Sequence, residues 1–146
     1  MFNIGIDAGG VLFQHRRNSS NSTEDTSSTI WNEGALVSLR KLKSKGHRLY
    51  LISFAGKRTG ELTKQALRDE ASEYIDEDDM YIVNHRLKKG KLCKQLGIDV
   101  MLDDRPDVLE AVLKDSQRTK CYMFGTEPSQ KFTRVSTWDE FVNFIQ

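Results

Sequence analysis

The chain has 146 residues, 38% hydrophobic and 29% charged, with 22 Lys and Arg against 21 Asp and Glu for a formal net charge of +1. At this length one core over residues 1–146 is expected, a single domain burying roughly 68–70% of its unfolded surface. No apolar run approaches the ~18 residues of a spanning helix, so no membrane partner is expected, and the balanced charge leaves nucleic acid neither implied nor excluded.

Cys93 and Cys121 lie in separate apolar segments without metal-like spacing, and the start lacks a basic-then-apolar leader pattern. A reducing, cytoplasmic setting is the expectation, with both thiols acting as small core side chains. The sequons at Asn18 and Asn21 would then stay unmodified.

In chain order, Phe2 to Asp7 alternates and is rich in β-formers, predicting a strand that ends on a carboxylate. Residues 14–31 include the polar run Ser19 to Thr29, too poor in apolar groups to offset its ordering entropy, so a mobile loop is expected. Ala35, Leu36, Leu39 and Leu42 recur at helical spacing, and Gly46 after Lys41, Lys43 and Lys45 marks a stop. Arg48 to Phe54 reads as a strand, Ala55-Gly56 as its break, and Arg58 to Tyr74 as the next helix.

The cycle repeats with a strand at Met80 to Val83, a helix near Lys89 to Leu96, a strand at Asp99 to Leu102 and a helix near Pro106 to Leu113. Lys120 to Phe124 is the last strand expected, and Thr137-Trp138-Asp139-Glu140 matches a capping box before an apolar helical stripe. Strands alternating with helices predict a three-layer α/β/α sandwich with a mainly parallel, Rossmann-like sheet. Its ligands then belong beyond the carboxyl ends of the strands.

Three apolar strands end on polar groups: Asp7, Ser53, and the pair Asp103-Asp104. Clustered carboxylates need a cation or a proton to offset their repulsion. Mg²⁺ is the expected cofactor, because it takes one or two carboxylates while keeping water or a substrate phosphate. Gly9 and Gly10 let the backbone approach the ion and the substrate, and their turn amides can receive anionic oxygen.

These residues resemble the haloacid dehalogenase-like superfamily, a group of mostly Mg²⁺-dependent phosphohydrolases. Asp7-Ala8-Gly9-Gly10-Val11-Leu12-Phe13 is similar to the family's first motif, except that Gly9 stands where a second aspartate is usual. The resemblance implies that Asp7 is a nucleophile forming an aspartyl-phosphate and also a metal ligand, with the Gly9 carbonyl as another. It implies that Ser53 binds the phosphoryl oxygen and that Lys89, chosen over Lys88 and Lys91, neutralises Asp7 and the phosphate. Val100 to Pro106 is similar to the family's strand followed by two acids, with Asp104 the direct metal ligand and Asp103 supporting it. Ala55, Gly56, Lys57 and Arg58, after the Ser53 strand, would line the substrate or bind a second phosphate at the helix start.

In the phosphatases of this family the second aspartate protonates the leaving oxygen and activates water, and glycine can do neither. Three outcomes stay open: weak hydrolysis, replacement of the missing group, or loss of catalysis with a retained binding fold. His15, in Gln14-His15-Arg16-Arg17, could lend the missing proton if its loop folded back, as could Glu24 or Asp25, but a surface side chain is the expectation; Arg16, Arg17 and Arg105 would extend a positive rim. A carbon-attacking dehalogenase is disfavoured because the chain is too short for a large helical cap. A minimally capped, magnesium-dependent phosphomonoesterase of weak or specialised activity is expected, its rival a catalytically inactive binding or regulatory protein. The open face admits a phosphorylated small molecule, a nucleotide or a macromolecule.

Overall fold

A computed structural model describes residues 1–15 and 29–145. The body of the loop expected at 14–31, with Asn18, Asn21, Arg16, Arg17, Glu24 and Asp25, lies outside the described residues. Six parallel strands form one sheet: β1 (Asn3–Ile6), β2 (Arg48–Phe54), β3 (Met80–Val83), β4 (Val100–Asp103), β5 (Lys120–Phe124) and β6 (Thr133–Val135). Their spatial order is β3-β2-β1-β4-β5-β6. Chain order therefore reverses between β1 and β4, and in such sheets a crevice opens at the carboxyl ends of the two strands flanking the reversal.

Helices cover both faces, because the alternating strand residues are apolar on each. On one face α1 (Ala35–Ser44), α2 (Lys57–Glu70) and α5 (Trp138–Ile145) pack on Ile4, Ile6, Leu49, Leu51 and Leu102 through Leu39, Leu42, Leu67, Phe141 and Ile145. On the other, α3 (Lys89–Leu96) and α4 (Pro106–Asp115) pack on Tyr50, Ile52, Met101 and Met123 through Cys93, Val108, Leu109 and Val112. Cys93 and Cys121 are free, buried thiols in this second layer. No helix among the described residues is long and apolar enough to cross a membrane.

Three local features depart from the sequence expectation. The helix expected to run to Tyr74 ends at Glu70, with Ala71 as its C-cap. The strand pattern ends at Phe124 in the sequence reading, yet β6 adds a sixth strand, with Tyr122, Met123 and Phe124 paired to Thr133, Arg134 and Val135. Only Val135 of the three is buried, so an edge strand this short leaves no alternation to read. At α5, Thr137 Oγ1 accepts the Glu140 N–H at 3.1 Å as a capping box requires, but the Glu140 carboxylate accepts from the Ser136 N–H at 3.1 Å rather than from Thr137.

The turn after β1 is fixed from several sides. The Ala8 carbonyl accepts the N–H groups of Val11, Leu12 and Phe13 at 2.9–3.1 Å. Asn32 Nδ2 and Trp138 Nε1 both donate to the Val11 carbonyl, at 2.8 and 2.9 Å. Gln14 N donates to Ile30 O at 2.8 Å, Phe13 bridges Trp31, and their rings lie 4.7 Å apart. Trp31 Nε1 also donates to Glu70 of α2.

Helix α3 is seated just as tightly. A Cβ on Gly90 would fall 2.5 Å from the Ala111 carbonyl oxygen and 2.7 Å from Asp115 Oδ2, so the absent side chain sets the approach of α3 to α4. Gly90→Ala is expected to push the helices apart and cost roughly 1–3 kcal/mol, the range for overpacking, read from urea unfolding.

Candidate active site

Parallel pairing brings the first two acids together. Ile6 stands in register with Leu102, and Asp7 N donates to Leu102 O at 3.0 Å, so Asp7 and Asp103 leave neighbouring strands at the same level. One oxygen from each of Asp7, Asp103 and Asp104 lies within 4.8 Å of the others. Lys89, first residue of α3, reaches between them: its Nζ donates to Asp7 Oδ1 and to Asp103 Oδ2, both at 2.8 Å. Lys89 is only 2% exposed and Asp103 is fully buried. Lys88 instead donates to Asn84 Oδ1 at 2.8 Å, and Lys91 is exposed.

The electrostatics follow from this crowding. Burial pushes the Asp7 and Asp103 carboxyls from the ordinary 3.8 up to about 6; repulsion from Asp104 adds to it at Asp7, repulsion from Asp7 adds to it at Asp103, and Lys89 opposes both. Burial also raises Asp104, with Asp103 contributing and His15 opposing. Burial alone would depress Lys89, but the two carboxylates overcome it and hold the ammonium above its ordinary value. Two of the three clustered acids share one ammonium and the third lies alongside, an arrangement that leaves negative charge for a cation or a proton. The donors are hard oxygens, which suits Mg²⁺. Asp103 already spends Oδ2 on Lys89 and Oδ1 on the Arg105 N–H at 3.0 Å, so Asp7 and Asp104 keep more capacity for a ligand.

Two adjoining clefts open over the carboxylates and share Gly9, His15 and Phe54. One, of about 210 Å³, is lined by Asp7, Lys89, Asp104, Arg86 and Arg105 as well. The other, of about 220 Å³, is lined by the buried Ser53 with Ala55, Thr59 and Thr63. Gly10 lines neither cleft; its φ is 83°, and a Cβ there would fall 2.4 Å from both Asp104 Oδ2 and His15 Nε2, so glycine is required. Gly9 differs: it is not in the left-handed region, and a Cβ added to it meets nothing within 4 Å.

Other residues fall differently from the sequence reading. Gly56, Lys57 and Arg58 are exposed at the start of α2 and line neither cleft. His15 has a side chain 72% exposed, as a surface histidine should, yet its Nε2 lies 2.7 Å from Asp104 Oδ2. Arg86 and Phe54 were not singled out by sequence, although both line the clefts. Phe54 is the half-exposed end of an apolar strand, and Arg86 sits three residues before Lys89 in a basic run, the only signals available.

The chain matches no protein-family model. It is 28% identical over 110 residues to a protein of Oceanobacillus iheyensis named as a candidate nucleotidase, covering 75% of this chain and 58% of that protein. The chain thus spans less than two thirds of that relative's length. Among solved structures, the D,D-heptose 1,7-bisphosphate phosphatase of B. bronchiseptica, complexed with magnesium and phosphate, superimposes with a TM-score of 0.72 at 12% identity, over 99% of this chain and 98% of that one. A haloacid dehalogenase-superfamily hydrolase of Ehrlichia chaffeensis gives 0.65 at 11% identity, over 98% and 95%. These likenesses show that the chain has the Rossmann-like fold of haloacid dehalogenase-type phosphatases.

The raised carboxyl values set a sign for pH effects. A carboxyl with a folded value above its unfolded one keeps its proton longer in the fold, so its contribution to stability is present below the unfolded value and is lost as pH rises through the folded one. For Asp7 and Asp103 that window runs from 3.8 to about 6. A cation binding these ionised carboxylates competes with the protons. Added Mg²⁺ is accordingly expected to raise Tm more at pH 7 than at pH 5 in differential scanning fluorimetry, with the difference reduced in Asp104→Asn.

Proposed function

We propose that the chain is a magnesium-dependent phosphohydrolase acting on phosphate monoesters through Asp7, with activity limited by Gly9. The observation that carries this reading is the Lys89 ammonium held 2.8 Å from both Asp7 and Asp103, with Asp104 alongside, at the mouth between β1 and β4. Asp7, Asp104 and the Gly9 carbonyl would hold the cation, and Asp103 would orient the cluster through Lys89 and the Arg105 amide. When bound, the ion neutralises charge on the phosphoryl oxygens.

The chain's own groups supply the rest. The Asp7 carboxylate attacks phosphorus; a P–O bond forms to Asp7 as the ester P–O bond breaks. Lys89 balances the charge that spreads over the equatorial oxygens, and Ser53 at the end of β2 donates to one of them. Water then attacks the aspartyl-phosphate and frees Asp7. At Gly9 no carboxyl protonates the leaving oxygen or deprotonates the water, so esters with good leaving groups turn over faster. A nucleotide or another small phosphate monoester suits the open clefts, and the resemblance to a candidate nucleotidase supports the first. Two free, buried thiols support a cytoplasmic setting.

The missing side chain at Gly9 also favours a second reading, a binding protein that keeps the ion site without turnover. Because a Cβ at Gly9 meets nothing within 4 Å, Gly9→Asp is expected to be accommodated and to supply the missing acid. If the chain is an enzyme, native protein with Mg²⁺ accumulates acid-stable, hydroxylamine-sensitive phosphoprotein from an activated phosphate ester, and Asp7→Asn abolishes it. Gly9→Asp is expected to raise turnover of a poor-leaving-group ester by about 10²–10⁴-fold, the usual worth of general acid–base catalysis. Absence of phosphoprotein in the native chain alongside activity in Gly9→Asp would favour the binding reading, and inactivity of both would remove the enzyme reading.

A further inference from the structure

The cations that meet the cleft are not all engaged alike. Lys89 is shared between two carboxylates on the floor. On the rim the ratio is reversed, because two guanidinium groups share one carboxylate. Arg86 Nε donates to Asp107 Oδ2 at 2.6 Å, while Arg105 Nε donates to Asp107 Oδ1 at 3.2 Å and its Nη2 to Oδ2 at 3.4 Å. Burial opposes it, but the two arginines hold the Asp107 carboxyl at about 2, so it stays ionised and the trio carries one net positive charge.

The trio is also built across the fold. Arg86 belongs to the short 3-10 turn Arg86–Lys88 just before α3, Arg105 is the N-cap of α4, and Asp107 lies in the first turn of α4. Asp107 therefore fixes two long side chains from separate segments on the same cleft that holds Asp7 and Lys89. A guanidinium is planar and matches two oxygens of a phosphate or carboxylate at once, and one already fixed by a partner loses less entropy on binding.

We propose that Arg86 and Arg105, framed by Asp107, form a second anion subsite, so that the preferred substrate is a small phosphate monoester carrying another phosphate or a carboxylate close to the reacting one. This inference rests on the phosphohydrolase reading, because the first phosphoryl group must sit over Asp7. Asp107 is a positioning residue here; the arginines make the contact.

The test compares three probes in the presence of Mg²⁺ by isothermal titration calorimetry: ethyl phosphate, 2-phosphoglycolate and 1,2-ethanediol bisphosphate. At least one doubly anionic probe is expected to bind about tenfold tighter than ethyl phosphate, the worth of one added charge-assisted contact. Which of the two gains tells carboxylate from phosphate. Arg86→Gln and Arg105→Gln are expected to bring that ratio towards one, and Asp107→Asn to lower it in part, with thermal unfolding confirming that each variant folds. A merely structural clamp would shift Tm while leaving the ratio unmoved, and that result would overturn the proposal. Equal affinity of all three probes for the native chain would overturn the subsite but leave the phosphohydrolase reading standing. Failure of every probe to bind would overturn both.

Discussion

The placement of one ammonium group organises this end of the molecule. Asp7 and Asp103 leave adjacent parallel strands at the same level, and without a cation between them their burial would be prohibitive. Lys89 supplies it from the opposite layer, at 2.8 Å to each. A buried pair of this sort adds little net stability compared with apolar packing, but removing one partner is costly, so it specifies position more than it strengthens the fold. Position is what the proposed phosphoryl-transfer chemistry would need, since such reactions draw most of their rate from aligned charges already in place.

That position is enforced by close packing away from the charges. Gly90 lets α3 approach the backbone of Ala111, which sets how far Lys89 extends. On the other side, the turn carrying Gly9 and Gly10 is tied to Asn32 and to Trp138 of α5 through the Val11 carbonyl. The acids, the lysine and the glycine turn thus come from β1, β4, α3 and the turn after β1, each held by a different neighbour. The polar end of the sheet is a product of the apolar layers on both of its faces.

Much of this was legible in the sequence because three apolar runs close on polar groups, Asp7, Ser53 and Asp103-Asp104; one such strand end is ordinary, but the three together point to a shared site. Alternating strands and helices indicated the layer architecture, while among Lys88, Lys89 and Lys91 only the motif resemblance pointed to Lys89. The remainder depended on distances that no local pattern encodes. β6 has one buried residue and pairs only through the sheet edge. His15 meets Asp104 because the Gly10 turn folds it back, and Arg86 meets Arg105 only through Asp107, 21 residues away from Arg86.

The ladder that joins Gln14 to Ile30 and Phe13 to Trp31 forms a neck, closed by a backbone hydrogen bond and a ring contact before the chain departs and after it returns. Closure of a chain excursion becomes only slowly more costly with its length, by about 0.6 kcal/mol per doubling. A neck closed in this way holds the Gly9–Gly10 turn whatever the length of sequence between residues 15 and 29. Insertions grafted between residues 15 and 29 are therefore expected to vary in length at little cost to the turn after β1.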